Sequence, residues 1–342
     1  MNQDPPLLSA ESRHRTVIAW LNMIGPVMAL VIVYLFFAVR VPKIMQPLAV
    51  ENIIRQTVIV GTASIGMTLV IIAGGIDLSV GSIIALSSVV MARLLTWTTA
   101  GGSMVESSPI FWPFVAVTGG IVVAALCGLI NGLLITSLRL APFIVTLGTL
   151  AVVRGIGLGL AGSKPVNPPE TWLSALLARP EGSLSWMLLS PGVWIMLVLT
   201  VLTMALLRYA RIGRHIFAVG SNVHAARLCG VAVERIQLFV YTASGVAGGL
   251  GGLMLLSRQS QGDPTAAEGY ELDVIAAVVI GGGSLSGGEG SVLGSLVGAL
   301  IMTVIDMGCM LEGWQNYVQK IVTGAIIVIA VALDRLRHGR KA

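Results

Sequence analysis

The sequence predicts an all-α polytopic membrane protein with about ten transmembrane helices, some of them broken or re-entrant. Hydrophobic residues make up 55% and charged residues only 11% of the 342 residues, whereas an ordinary soluble domain contains about 25% charged residues. The mean hydropathy is +0.90. Apolar segments of about 20 residues, the length that crosses the hydrocarbon core, recur along the chain. Together these observations predict that lipid is the solvent for most of the chain.

Ten candidate spans follow from the apolar segments. The first begins after a polar stretch and is too long for the apolar core of a signal peptide, so we expect it to be retained. The third, fifth and ninth contain Arg93, Arg154 and Asp306, and the eighth is short. The spans cover residues 17–39, 56–76, 78–98, 111–138, 140–162, 186–207, 236–257, 272–283, 291–311 and 317–333. We divide the chain into an N-terminal tail (1–16), a transmembrane domain (17–334) and a C-terminal tail (335–342).

The distribution of basic residues orients these spans. With both termini in the cytoplasm, the cytoplasmic segments hold 12 Lys and Arg residues and the outer segments hold 6. This bias follows the positive-inside rule and favours an even number of spans. The net charge of +5 is explained by the same rule, so we predict membrane lipid and no nucleic acid as a partner.

Several kinds of chemistry find no support in the sequence. The three cysteines and four histidines show no metal-ligand spacing, and neither an HExxH nor a GxSxG motif occurs. The run from Gly245 to Gly252 has glycine spacings reminiscent of a dinucleotide site, but it lies inside a span and predicts close helix packing instead. Leu285–Glu289 nearly spells the signature of ATP-binding cassettes, yet the chain has no phosphate-binding P-loop. We therefore predict no catalytic residue, no metal and no cofactor in this chain.

Two glycine-rich stretches interrupt the hydropathy pattern. Residues 74–82 read GGIDLSVGS, and residues 281–290 read GGGSLSGGEG. Irregular backbone at membrane depth is tolerated where protein or water satisfies its polar groups, and ligand paths in transporters often run beside such breaks. Two tight turns between helices explain the same pattern equally well, and the sequence leaves both readings open.

The basic segment 208–235 is the most informative polar part of the chain. Asn222 is suited to cap a short helix, and Gly230 is suited to end it. The helix between them carries Ala225, Ala226 and Leu228 as an apolar patch. A short amphipathic helix of this kind is typical of an element that docks into a groove on a partner.

Four motifs give the chain a family resemblance. They are GGIDLSVGS (74–82), APFIVTLGTLAVVRG (141–155), GRHIFAVGSNVHAARLCGV (213–231) and ELDVIAAVVIGGGSLSGGEGS (271–291). In this order they resemble permease subunits of ribose/xylose/galactose-type bacterial ABC sugar importers. The resemblance implies a type II importer permease fold, a second permease copy or paralogue, an ABC ATPase subunit that binds ATP and Mg²⁺, and a periplasmic solute-binding protein. It also implies a transport subunit, not an enzyme, that lies in the bacterial inner (plasma) membrane and moves a monosaccharide or related small polar solute inward.

The resemblance and the charge pattern together select candidate residues. For coupling to the ATPase they are Arg214, Gly220, Asn222, Ala225, Ala226, Arg227 and Gly230. Intramembrane polar residues are the candidates for the translocation path, namely Asp77, Asn131, Arg154 and Asp306. Helix packing is the competing role for each of these four residues. Basic residues of the outer segments, Lys43, Arg55 and Arg258, are candidates for docking the binding protein.

A different class of transporter remains an alternative. An ion-coupled secondary transporter needs a membrane carboxylate that carries a proton or sodium ion, and Asp306 is the acid that lies well inside a predicted span. An intramembrane enzyme would need a paired nucleophile and base or a metal site, which the motif search does not support.

Overall fold

The structure, a computed structural model, describes residues 8–99, 102–179 and 189–338, and most of these residues are helical. Two short 3₁₀ helices, Pro42–Met45 and Trp172–Leu176, and one small antiparallel hairpin, Thr98–Thr99 paired with Gly102–Ser103, lie between the α-helices. The α-helices are α1 (Leu8–Arg40), α2 (Pro47–Ile72), α3 (Val80–Leu95), α4 (Met104–Ser107), α5 (Phe111–Ser137), α6 (Pro142–Ala161), α7 (Pro191–Tyr209), α8 (Arg211–Ser221), α9 (Val223–Leu228), α10 (Val233–Gln259), α11 (Tyr270–Ile280), α12 (Val292–Leu311) and α13 (Asn316–His338).

The prediction of an all-α membrane fold is confirmed. Each predicted span overlaps one helix, and the start of the sixth predicted span lies outside the described residues. Within the described ranges, six helices are long and apolar enough to cross a membrane: α2, α5, α6, α7, α10 and α12. Shorter apolar stretches occur at residues 24–40, 80–95 and 317–332. At about 1.5 Å per residue, the 11 residues of α11 cover only about half of a bilayer. The number of about ten crossings stays a prediction.

Helix α10 is central, and its glycines set how closely it packs on α5. A methyl group added to Gly245 would overlap the carbonyl oxygen of Ala124, and one added to Gly128 would overlap that of Tyr241. A methyl group on Gly249 would come within 2.9 Å of the Ala124 side chain. Small residues on both helices therefore bring the two backbones together, as lipid-embedded helices require. The prediction that residues 245–252 form a packing face is confirmed.

The outer helices present apolar side chains to the surroundings. Along α6, Phe143, Ile144, Leu147 and Val152 are exposed, and α7 exposes Val198, Val201 and Leu202. By contrast, most of α2 is buried in the bundle. Exposed apolar helices around a buried helical core indicate that lipid covers this surface.

The segment between α10 and α11, residues 260–269, is irregular and runs along α3 inside the bundle. Gly262 pairs with Val166 through two backbone hydrogen bonds of 2.9 and 2.8 Å and lies against Ser88 and Ala92. At its other end, Ala267 lies against Gly81, in the first turn of α3. The chain therefore passes from the last turns of α3 to its first turn without forming a helix, and this is why α11 is short. The hydropathy pattern predicted the gap between these helices and the short α11, but it did not reveal that the connecting segment runs back along α3.

Arg154 of α6 holds this segment in place. Its Nη1 atom donates hydrogen bonds of 2.8 Å to the carbonyl oxygens of both Pro264 and Ala266. Neither carbonyl can be satisfied by lipid. The structure thus shows the packing role that the sequence had left open for Arg154.

We expect Arg154→Leu to destabilise the fold, because two carbonyl groups lose their donor at a cost of about 1–3 kcal/mol each. The melting temperature of the purified protein should fall, and amide hydrogen exchange should accelerate across residues 260–269. Arg93→Leu is the control, because Arg93 donates to a single carbonyl, that of Leu160, at an exposed position. Equal losses for the two variants would contradict the assigned role.

Candidate functional site

Helix α9 stands at one end of the bundle, which we call the loop end, and both of its termini are capped. The Asn222 side chain accepts a hydrogen bond of 2.9 Å from the Ala225 amide. At the other terminus Gly230 has a φ of +81°, Gly230 N donates to Arg227 O, and Val231 N donates to Ala226 O. This pair of bonds is a Schellman motif. The predicted N-cap at Asn222 and stop at Gly230 are confirmed, and the helix between them has six residues.

The outward face of α9 differs from the predicted one. Leu228 is 90% exposed, and His224, Ala225 and Arg227 are also exposed. Ala226, however, is only 5% exposed and belongs to the core of the bundle. The expectation that Ala226 lies on the outward face is therefore wrong. One side of so short a helix must pack against the bundle to hold it in place, and Ala226 lies on that side.

Arg227 has a partner within the chain. Its Nη2 atom donates a hydrogen bond of 2.6 Å to Oε1 of Glu234 in the first turn of α10, and both side chains are 56% exposed. This ion pair ties α9 to α10 at the surface. Exposed pairs contribute at most about 1 kcal/mol, so the pair orients α9 more than it stabilises the fold.

Helix α8 is an element that sequence reasoning missed. Gly213, Ile216 and Val219 recur at every third position and are buried, whereas Arg211 and the predicted coupling residue Arg214 are exposed. This spacing is the pattern of an amphipathic helix at a surface, so the signal was present in the sequence. The five arginines between residues 208 and 235 make the segment strongly basic, and this charge obscures the periodicity.

Gly220, at the end of α8, meets both glycine-rich stretches. A methyl group on Gly220 would overlap the carbonyl oxygen of Ile72 at the end of α2, and it would lie 2.6 Å from the amide of Gly288. Gly288 N itself donates a hydrogen bond of 2.8 Å to Ile72 O. A methyl group on Gly287 would lie 2.7 Å from Gly220 O and 2.9 Å from the Cα of Gly74. We call these four glycines (74, 220, 287 and 288) the glycine junction.

The last helix is also joined to this region. The carboxylate of Asp334 in α13 accepts hydrogen bonds of 3.3 Å from the Ser284 hydroxyl and from the Leu285 amide. Residues 281–290 therefore contact the ends of α2, α8 and α13. Both stretches are short connections between consecutive helices, α2 to α3 and α11 to α12, as the reading of two tight turns predicted, and the structure also packs them against each other at the glycine junction.

Asp77 and Asn131 lie in an enclosed polar cluster. Asp77 accepts hydrogen bonds from Ser79 N (3.0 Å), Ser79 Oγ (2.6 Å) and Ser244 Oγ (3.1 Å). Asn131 Nδ2 donates to Ser79 Oγ at 2.8 Å. Both Asp77 and Asn131 are 0% exposed. This cluster links the loop after α2 to α5 and α10, and any role of the two residues in a translocation path stays a prediction.

A cavity of about 850 Å³ opens at the opposite end of the bundle, which we call the cavity end. Two predicted residues line it, Asp306 of α12 and Arg258 of α10. Asp306 accepts a hydrogen bond of 2.8 Å from Gln319. Lys43 is exposed and precedes the start of α2 in the chain. Arg55 lies within α2 and forms an ion pair with Glu51, one helical turn earlier. The three predicted docking residues therefore have different surroundings, and their role stays a prediction.

We expect Gly220→Ala to damage the glycine junction, because the new methyl group overlaps a backbone carbonyl that cannot move without shifting α2. Overpacking of this kind costs about 1–3 kcal/mol, so the melting temperature in detergent should fall. Gly148→Ala is the matched control, since nothing lies within 4 Å of its added methyl group. If Gly220→Ala had the same melting temperature as the wild type, the glycine junction would be loosely packed.

Comparison with known proteins identifies relatives over nearly the whole chain. The family model described as branched-chain amino acid transport system / permease component matches residues 49–331. The ribose import permease protein RbsC of Bacillus subtilis is 39% identical over 316 residues, 92% of this chain and 93% of the relative. RbsC of Escherichia coli K12 is 35% identical over 94% of this chain and 96% of its own. The fructose import permease protein FrcC of Rhizobium meliloti is 36% identical over 91% and 84%. No solved structure gives a significant match.

These matches confirm the resemblance that the four motifs predicted. They cover the glycine junction, α8, α9 and the cavity end, because the family model extends from the start of α2 into α13. They also agree with the apolar outer helices, which place the chain in a membrane. The chain is a transport component and not an enzyme, and it belongs to the family of permease components of bacterial transport systems.

Proposed function

We propose that this chain is the membrane-spanning subunit of an ATP-binding-cassette importer that moves a monosaccharide or related small polar solute into the cell. ATP and Mg²⁺ bind a partner ATPase, a periplasmic binding protein delivers the solute, and a second permease copy or paralogue completes the path. The observation that carries this proposal is α9, a helix capped at both ends that presents Leu228, 90% exposed, at the loop end.

The relatives support the choice of solute class. The named relatives import ribose and fructose, whereas the family description names branched-chain amino acids. We follow the relatives, because their identity extends over most of both chains. Both termini lie in the cytoplasm in this proposal, with ten crossings and a type II arrangement of helices. The loop end then faces the ATPase and the cavity end faces the binding protein.

The geometry suggests how nucleotide-driven movement reaches the spans. A push on α9 is transmitted to α8, since only Asn222 separates the two helices. At the glycine junction α8 touches the end of α2 and the loop that follows α11. Helix α11 extends from that loop to the cavity. Backbone contacts transmit such a push without the slack of flexible side chains, and rocking of these helices would give alternating access.

Substitutions at two neighbouring alanines distinguish a docking role of α9 from a purely structural role. We expect Ala225→Trp, at an exposed position, to fold normally but to reduce ATPase recruitment or coupled uptake by at least about tenfold, because bulk blocks the docking groove. Ala226→Trp, at a buried position, should instead lower the melting temperature through overpacking. Co-purification with the ATPase and ATP-driven uptake in vesicles measure the first effect, and thermal melting measures the second. A fully coupled Ala225→Trp transporter would refute docking at this face.

Energy coupling can be tested on the same vesicles. We expect uptake to require ATP and to survive collapse of the proton and sodium gradients. Uptake that stops with the gradients would favour the ion-coupled alternative built on Asp306.

Orientation is tested by thiol labelling of intact cells in a Cys229→Ser background, because Cys229 is an exposed cysteine. We expect an impermeant reagent to label Ser107→Cys at the cavity end and to leave Ser221→Cys at the loop end unlabelled. Both positions are exposed, so accessibility within the protein does not bias the comparison. The reverse labelling pattern would show that the loop end, and not the cavity end, faces the outside of the cell.

A further inference from the structure

The cavity has the size and position of a small-molecule site. It opens where α10 and α12 end and where α11 begins. Its volume of about 850 Å³ lies within the range of about 300–1,000 Å³ that is typical of ligand pockets. The cavity forms because residues 260–269 are not helical and run back along α3. Helix α11 therefore begins deeper in the bundle than the end of α10, and space remains between the start of α11 and the cavity end.

Polar and aromatic side chains around the cavity are held in fixed positions. Gln56 Nε2 donates a hydrogen bond of 2.8 Å to the Tyr270 hydroxyl, and Gln319 Nε2 donates one of 2.8 Å to Asp306. The Trp314 ring packs edge-on against Phe37, with ring centroids 6.5 Å apart. Side chains fixed by such neighbours lose little conformational entropy when a ligand binds.

The cavity lining is rich in ionisable side chains. Its lining includes the carboxylates Glu268, Glu271, Asp273 and Asp306 and the cations Arg258 and Lys320. Within the described part of the chain, none of these six residues takes part in an ion pair. Ionisable groups at membrane depth are costly and mark solute or ion pathways. The carboxylates outnumber the cations, so the cavity offers mainly hydrogen-bond acceptors.

We propose that this cavity holds the transported solute, a neutral ring that carries several hydroxyl groups; this inference rests on the proposed function. Asp273 and Asp306 accept hydrogen bonds from hydroxyl groups, and such bonds to a carboxylate are stronger than bonds between neutral groups. Trp314 and Tyr270 provide apolar ring surface for the C–H face of the sugar, as aromatic side chains do in ligand pockets. The excess of carboxylates excludes anionic analogues such as sugar phosphates and uronic acids.

A protection experiment tests occupancy directly. Thr323 lines the cavity on α13, and Thr323→Cys in the Cys229→Ser background provides a label site in native membranes that contain the full-length permease. We expect D-ribose, D-fructose or L-arabinose to slow thiol labelling in a concentration-dependent manner. D-Glucuronate and D-ribose 5-phosphate should not slow it. Ser107→Cys, exposed at the same end but outside the cavity, should be labelled at the same rate with every sugar.

Variants test the assigned side chains. Asp306→Asn and Asp273→Asn should each raise the sugar concentration needed for half-protection by at least about tenfold, as expected for the loss of a charge-assisted hydrogen bond. Trp314→Leu should weaken protection similarly, because the flat ring surface is lost. Glu106→Gln, an exposed carboxylate at the same end outside the cavity, should leave protection unchanged.

The outcomes separate this inference from the proposed function. If wild-type vesicles take up a sugar in an ATP-dependent manner but that sugar never protects Thr323→Cys, the cavity is not the solute site and the importer proposal stands. A labelling rate that no sugar changes, but that varies with lipid composition or with permease concentration, would assign the cavity to a lipid or to a second copy. Equal protection by glucuronate would overturn the neutral-solute assignment. Absence of ATP-driven uptake of any sugar would instead defeat the proposed function.

Discussion

Backbone carbonyl and amide groups inside a bilayer have no water to bind, and the irregular parts of this chain depend on how the protein satisfies them. Residues 260–269 rely on Arg154, which supplies donors for Pro264 and Ala266 from the middle of α6. The loop after α11 donates from Gly288 to Ile72 O at the end of α2. A charged side chain and a chain of close glycine contacts thus replace water. Helix α11 can be short only because both of its flanking segments are satisfied in this way.

The short α11 gives the fold two different ends. Where α11 ends, the loop of residues 281–290 lies against Gly220 of α8 and against Ile72 of α2. This loop is next to the exposed α9. Where α11 begins, Tyr270 and Asp273 face the cavity. An element that joins the proposed docking surface to a polar cavity fits the alternating-access mechanism of the proposed function. The proposed route of movement from α9 to the cavity therefore depends on this break in the helix pattern and on the contacts that stabilise it.

The candidate residues fall into groups that sequence alone did not separate. Asn222 and Gly230 have the capping roles predicted for them, because caps depend on a few neighbouring residues. Ala226 was assigned to the wrong face, since the direction in which a six-residue helix faces is set by what lies beneath it. Asp77 and Arg154 both read as intramembrane polar groups, yet one holds a loop and the other holds a broken segment.

The sequence by itself determined the membrane environment, the approximate helices, the family and the capped α9, because each depends on composition or on residues that are close in the chain. Only the tertiary structure decided that residues 260–269 enter the bundle, that Gly220 meets both glycine-rich stretches, and that Asp273 and Asp306 share a cavity. The physical reason is distance along the chain: Gly220 and Ile72, like Arg154 and Pro264, come together only through helix packing. Hydropathy reports how far a segment prefers lipid, and it does not report which distant carbonyl an arginine will reach.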